Sequence, residues 1–470
     1  MIDRLAYWGE RLFKLAASRE APRDSRERRS RSIMRGTVSA ILARGLGALA
    51  GLITVPLTVR YLGGERYGVW VTISSVMLFL GFTDLGLASS LTNYLGKAFG
   101  EDDKESARRY VLTACLVLSV IALLLTIAGI VFAQPLARLM FPSVDPDLIR
   151  REVVPSLIIA FASFAFSLPT VVVYRLLAAY QESASANLWT MIGSIAAFVG
   201  ILVAIFCRGG LPWLVFGSLG AHTLVNALSA VWLFGWHKRW LLPAGWDFDF
   251  TIVRDLFSSS WKFFVANAAW LINSQTDNII IAHYLGAAQV TPYSVTFRIF
   301  AYATLIQMLA APTLWPAYTE AVTKKDFDWI RGIFRKSLRW SLLIAAVALV
   351  ILTIFGQTII NIWAGPTAVP PFSAIVWMAI WNLILGYLIV ASCLLQATGQ
   401  VTGLSIYSSL TAVLNVALSI WFARLYGITG VIAATVVAYM IASVIPVSIE
   451  TRRLLTRFAR STAENPAPVG

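Results

Sequence analysis

FFVANAAWLINSQTDNIIIAHYLG, residues 263–286, carries two signals that conflict. Its flanks are apolar enough for hydrocarbon, yet Asn273 to Asn278 are six consecutive polar residues with an ionisable Asp277 among them. The reading turns on the solvent, and composition supplies it. Of 470 residues, 58% are hydrophobic and 13% charged, with mean hydropathy +0.73. Soluble domains carry charge on about 25% of their residues. Runs that match the ~20 apolar residues needed to cross a bilayer core recur along the chain. They place twelve spans, at 36–60, 67–92, 109–133, 152–178, 187–207, 211–236, 256–283, 289–317, 338–359, 370–396, 402–422 and 427–449. No connection exceeds about twenty residues, which leaves no room for a soluble domain. The expected fold is an all-α integral membrane protein of about 12 transmembrane helices.

Basic residues orient it. Arg44, Lys262 and Arg298 fall inside spans, and Arg60, Arg66, Arg138, Arg150, Arg151, Arg208 and Arg424 fall on one side. The remaining 28 of the 38 Lys and Arg fall on the other side, which the positive-inside rule makes cytoplasmic. Both termini are expected there. The net charge of +14 is then mostly a topology signal that also suits anionic headgroups, and nucleic acid is not an expected partner. MIDRLAYWGERLFKLAASRE lacks the continuous apolar core of a signal peptide. Its apolar residues recur at helical spacing, so a surface helix and a disordered basic tail both stay open for residues 1–35. Cys115, Cys207 and Cys393 sit in or beside spans, with no disulfide or metal spacing.

The chain repeats. Tyr61-Leu62-Gly63 recurs 223 residues later as Tyr284-Leu285-Gly286, and at that offset Asp103 meets Asp326 and Arg108 meets Arg331. Near an offset of 217, Gly210-Leu211 meets Gly427-Ile428. Six spans per half is an even number, so both halves enter the membrane from the same side. Parallel repeats imply two bundles with a path between them, the layout of alternating access. The expected domains are a first lobe at 36–236, a cytoplasmic linker at 237–255, a second lobe at 256–450 and a tail at 451–470.

RYLGGERYGVW (60–70) and FTDLGLASSLTNYLGKAFGEDD (82–103) resemble the first hairpin of Wzx-type oligosaccharide flippases. QTDNIIIAHYLGAAQVTPYSV (275–295), LWPAYTEAV (314–322) and KKDFDWIRGIFRKSL (324–338) resemble the second-half hairpin of the same family. These flippases belong to the multidrug/oligosaccharidyl-lipid/polysaccharide exporter superfamily, and the resemblance covers about residues 33–455. It implies a MATE-like fold, two parallel six-helix lobes around a central cavity in a bacterial inner membrane. It further implies transfer of a polyprenyl-pyrophosphate-linked oligosaccharide to the periplasmic leaflet for surface polysaccharide biosynthesis. Polysaccharide polymerase or assembly machinery is the candidate protein partner. Coupling to H+ or Na+ is an open expectation, and no other cofactor is expected.

Charges inside spans cost about 2.5–3.5 kcal/mol each and usually serve something. Arg44 and Asp84 each lie twenty residues from the turn at Gly64, so they share a depth. Asp277 and Arg298 share another, and are expected to pair directly or through water. Glu320 ends the eighth span. Two roles stay open for these groups: ion pairs that make insertion tolerable, or cations on a cavity that attract pyrophosphate. On the second, Arg44, Lys262 and Arg298 bind the anion while Asp84, Asp277 and Glu320 pair or couple. Lys262, Asn273 and Asp277 share a helical stripe, which Asn267, Gln275 and Asn278 broaden into amides for sugar hydroxyls. Gly81, Gly86, Pro312 and Pro316 mark where two helices are expected to bend. Gly47 and Gly51 form a GxxxG match, a sign of close helix contact.

Other functions fare worse. No P-loop, HExxH or nucleophile elbow occurs, so no enzyme is expected. A cation-coupled multidrug exporter on the same fold is the alternative, and three buried bases favour an anionic cargo over a cationic drug.

Overall fold

An apolar segment in a bilayer must satisfy its backbone hydrogen bonds internally, which leaves helices as the economical answer here. A computed structural model describes residues 25–81, 87–241, 249–308 and 311–464, and each regular element among them is helical. The helices of the first half are α1 (Ser25–Leu80), α2 (Leu87–Gly100), α3 (Lys104–Met140), α4 (Pro146–Ala179), α5 (Ser183–Phe206) and α6 (Leu211–His237). Those of the second are α7 (Phe250–Tyr284), α8 (Ala287–Met308), α9 (Ala311–Thr323), α10 (Phe327–Ala364), α11 (Phe372–Ala397), α12 (Val401–Tyr439) and α13 (Ile445–Glu464). Eight segments are long and apolar enough to cross a membrane. Two of these are doubled, because α1 turns at Gly63 and α12 at Gly427. Counting each as two, and adding the more polar α7 and the α8–α9 pair, gives twelve traverses among the described residues.

The repeat is visible in the backbone. Gly63 and Gly286 both take positive φ, 74° and 96°, at the turn that closes each half's first hairpin. Glycine is suited to that region because it has no Cβ. Asp102 and Lys325 are also left-handed, φ 53° and 58°, although few non-glycine residues are. Next to them, Asp103 Oδ1 accepts the Ser106 N–H at 2.9 Å and Asp326 Oδ1 accepts the Trp329 N–H at 3.2 Å, matched N-caps that open α3 and α10. Ser106 also holds the Asp103 carboxyl below its usual range. All three pairs are 223 apart. The second register is not shared: Gly427 has φ 59°, whereas Gly210 is extended at φ −68°, ψ −172°.

The chain divides into two compact units. The first is Met1–Thr54, Leu80–Ala137 and Pro146–Phe264; the second is Val55–Phe79, Arg138–Asp145 and Val265–Gly470. This differs from lobes cut at 236 and 256. Residues 55–79 and 138–145 join the second unit because hydrogen bonds tie them to α7 and α8. Thr291 Oγ1 donates to the Gly64 carbonyl at 2.6 Å, Asn278 Nδ2 donates to Ser75 Oγ at 2.9 Å, and His283 Nδ1 bonds the Leu139 carbonyl at 2.6 Å.

The first unit is cored by Leu87, Leu91 and Leu95 of α2 against Leu176 and Leu177 of α4. In the second, Tyr318, Phe334, Val390 and Leu394 bring α9, α10 and α11 together. Lipid tails are as apolar as leucine, so close packing drives helix association in a bilayer. Gly200 in α5 and Gly217 in α6 show this, since a Cβ on either would overlap the other's backbone. The expected GxxxG contact is not of this kind: a Cβ at Gly47 would meet nothing within 4 Å.

Candidate functional site

The polar run Asn273 to Asn278 lies on the last third of α7. Asp277 is buried, 4% exposed, and three hydroxyls hold its carboxylate. Tyr293 Oη from α8 donates to Oδ2 at 2.8 Å, Thr435 Oγ1 from α12 donates to Oδ2 at 3.2 Å, and Ser419 Oγ from α12 donates to Oδ1 at 3.4 Å. Asn415 Oδ1 also lies 3.1 Å from both Ser419 Oγ and Thr435 Oγ1. Ser419 and Thr435 each carry one proton and face more than one acceptor, whereas Tyr293 faces Asp277 alone. Asn415 Nδ2 is buried with no partner among the described residues.

The direct form of the expected Asp277–Arg298 ion pair is not present. Among the described residues no basic group lies within 4.0 Å of Asp277. Neutral hydroxyls satisfy the carboxylate without burying a second charge, which would carry its own desolvation cost. Arg298 is instead exposed, near the phenols of Tyr67 and Tyr302. Both residues line one cavity of about 360 Å³ within the second unit.

Four helices build that cavity: α7 supplies Asn273, Ser274 and Asp277, and α8 supplies Tyr293, Phe297 and Arg298. From α11 come Trp381 and Asn382, and from α12 Thr435 and Tyr439. Trp381 and Tyr439 meet edge to face, with centroids 4.2 Å apart at 68°. Asn273 Nδ2 donates to the Ser408 carbonyl at 3.3 Å, and Asn382 Nδ2 to Thr304 Oγ1 at 2.8 Å. The Oδ1 of each is buried with no partner among the described residues.

The other expected site residues scatter. Asn278 does not line this cavity, since its amide bonds Ser75, and Gln275 is half-buried away from the lining. Glu320 is exposed, pairs with Lys324 just past the end of α9, and is not among the residues lining this cavity. Arg44 is an exposed side chain of α1 in the first unit. Asp84, Gly86 and the side chains of Lys262, Asn267, Pro312 and Pro316 lie outside the described residues, as does the segment 1–24. The expected bends border residues 82–86 and 309–310, which lie outside the described residues.

Trp381, Asn382, Asn415, Ser419, Thr435 and Tyr439 are absent from the sequence reading. They are uncharged and sit in strongly apolar spans, where a search for buried charge passes over them. The available signal was Asn415 and Ser419, two polar residues one helical turn apart within a span.

A family described as polysaccharide biosynthesis protein matches residues 33–321, more than half of the chain. The chain belongs to this family. A putative O-antigen transporter of Salmonella typhi is 22% identical over 402 residues, covering 85% of this chain and 91% of the relative. A multidrug export protein of Staphylococcus saprophyticus, MepA, is 20% identical over 431 residues, 88% and 92% of the two chains. Among solved structures, an inward-facing multidrug resistance MATE family transporter of the MOP superfamily aligns with TM-score 0.70 at 15% identity, covering 88% of this chain and 99% of that one. The fold is therefore the MATE fold, and this member of the family is a multi-pass membrane protein.

Proposed function

We propose that this chain is a flippase for a polyprenyl-pyrophosphate-linked oligosaccharide. It moves that lipid from the cytoplasmic to the periplasmic leaflet of a bacterial inner membrane by alternating access, for O-antigen, capsule or exopolysaccharide synthesis. The observation that carries this reading is the charge shown by the cavity of the second unit. Its carboxylate is sealed beneath hydroxyls, while its arginine is exposed. A guanidinium fork suits a phosphate and repels a cationic drug. The O-antigen transporter relative supports the same cargo.

Asp277 is the coupling group in this reading. A buried carboxylate held by neutral hydroxyls alone gains from a proton or a sodium ion, and the Asn415–Ser419–Thr435 shell offers oxygens for either. Gly81, Gly86, Pro312 and Pro316 are the bending points in this reading. Replacing Arg298 by Ala should cut surface glycan at least about tenfold at unchanged protein level, with Arg298→Lys intermediate. If Arg298→Ala leaves surface glycan intact while loss of the chain sensitises cells to cationic drugs, the exporter reading replaces this one.

A further inference from the structure

α10 is longer than a bilayer requires. Its 38 residues extend about 57 Å against a hydrocarbon core of about 30 Å, so its first turns stand among headgroups. One face, with Ile330, Phe334, Ser341, Ala345 and Ile360, is buried. The opposite face is open. Lys336, Trp340, Leu343, Val347, Val350 and Ile354 recur along it at spacings of three and four, and all are exposed. Its chemistry changes along its length. At the upstream end an open groove of about 620 Å³ is lined by Arg335, Lys336, Arg339 and Trp340, between Gly332 and Leu343. A Cβ at Gly332 would meet nothing within 4 Å. Among the described residues no carboxylate lines the groove, and neither Arg335 nor Arg339 has an acidic group within 4.0 Å. Arg331, one turn earlier, is by contrast paired with Asp328 at 3.6 Å.

Basic residues at a cytoplasmic helix end need no ligand where they only set topology. The repeat separates the two cases. α3 and α10 begin 223 residues apart, and Arg108 of the first matches Arg331 of the second, so that topology signal is shared. The groove is not. Leu112, Thr113, Leu116 and Val117 stand where α10 has Arg335, Lys336, Arg339 and Trp340. The same helix in the first half does without these four side chains, so neither scaffold nor topology accounts for them in the second.

We infer that this groove binds the headgroup of an anionic phospholipid, with an acyl chain along Leu343, Val347, Val350 and Ile354. Arg335 and Arg339 sit one turn apart, and each offers a guanidinium fork to a phosphodiester, with Lys336 beside them as a point charge. Trp340 stands where headgroup meets chain, a depth that tryptophan favours. Three cations suit a lipid with two phosphodiesters better than one, and they repel the ammonium of a zwitterionic lipid. The basic-residue distribution puts this leaflet on the cytoplasmic side, where basic pockets recruit such headgroups. The groove shares no lining residue with the cavity of Asp277 and Arg298, so the inference does not rest on the flippase reading.

The test is native mass spectrometry of the full-length protein released from detergent and titrated with cardiolipin, phosphatidylglycerol and phosphatidylcholine. Cardiolipin should bind about tenfold or more tighter than phosphatidylcholine, with phosphatidylglycerol between them. Arg335→Gln, Lys336→Gln and Arg339→Gln together should bring cardiolipin down to the phosphatidylcholine level. Arg452→Gln, Arg453→Gln and Arg457→Gln, which remove three exposed cations of α13, should leave its affinity in place. Arg335→Gln or Arg339→Gln alone, at about threefold loss each, decides the question should the triple variant fail to accumulate. Full cardiolipin affinity in the α10 variants overturns the inference. So does an equal loss in the α13 variant, which would leave only attraction by net charge. Two competitors fix the ligand. Inorganic pyrophosphate at millimolar concentration should not displace cardiolipin, and undecaprenyl pyrophosphate should compete no better than phosphatidylglycerol. Displacement by the first would make the groove a site for free anions, and preference for the second would make it a landing point for cargo; either result overturns the phospholipid assignment.

Discussion

At the scale of single residues, the account rests on how a carboxylate survives in an apolar bundle. Asp277 does so on hydroxyl donors from Tyr293, Ser419 and Thr435. Removing one donor strands a buried charge, so Tyr293→Phe should lose about 1–3 kcal/mol, read as a lower melting temperature in detergent. Asp277→Asn should fold normally, since a neutral amide removes the buried charge, while ion dependence of transport disappears. Unfolding of that variant would mean that a cation pairs with the carboxylate after all. Outside the membrane, Glu182 offers a pH test. Burial works to raise its carboxyl, but Lys238 Nζ at 2.8 Å and His237 Nε2 at 2.6 Å outweigh it and hold the pKa below the usual value. A depressed carboxylate stabilises the fold above its unfolded pKa, and that contribution fades as pH falls through the folded value. Glu182→Gln should therefore melt below wild type at pH 7 and converge with it below about pH 4. The buried charge was legible in the sequence because a charge in an apolar run is conspicuous. Its partners were not, because hydroxyls and amides spread over α8 and α12 look like ordinary span residues until tertiary packing gathers them.

Helices in a bilayer hold together where small residues allow backbones to touch. Gly200 and Gly217 do this between α5 and α6, and a methyl group on either would enter the opposite backbone. Gly200→Ala and Gly217→Ala should each lower the yield of folded protein and its melting temperature, whereas Gly47→Ala, with open space around it, should change neither. A GxxxG spacing records only which face two glycines share, and packing decides whether another helix occupies that face. Helix number and turn positions were readable for the opposite reason. Apolar length sets a traverse, and glycine at Gly63 and Gly286 marks where the chain must enter a left-handed turn. The assignment of 55–79 to the second unit was not readable, since it depends on contacts such as Thr291 to Gly64 that cross more than two hundred residues of chain.

For the whole molecule, the common 223-residue offset and the 28 to seven distribution of basic residues make one topological statement. Both termini should be cytoplasmic and the Gly63 turn periplasmic. In intact cells, a cysteine beside Gly64 should react with an impermeant maleimide, while one at Gly470 should react only after permeabilisation; equal labelling of both would reject the topology. The family and fold establish a multi-pass membrane protein of polysaccharide biosynthesis, and the proposal adds an anionic cargo held at the exposed Arg298. The most direct test of that claim is the leaflet position of the lipid-linked glycan, read by its accessibility to an impermeant glycan-modifying reagent in spheroplasts and in inverted vesicles. The account predicts outer-leaflet glycan in wild-type spheroplasts. In cells lacking the chain, or carrying Arg298→Ala at normal abundance, the glycan should be reached only in inverted vesicles. Glycan reaching the outer leaflet at the wild-type rate without the chain would contradict it.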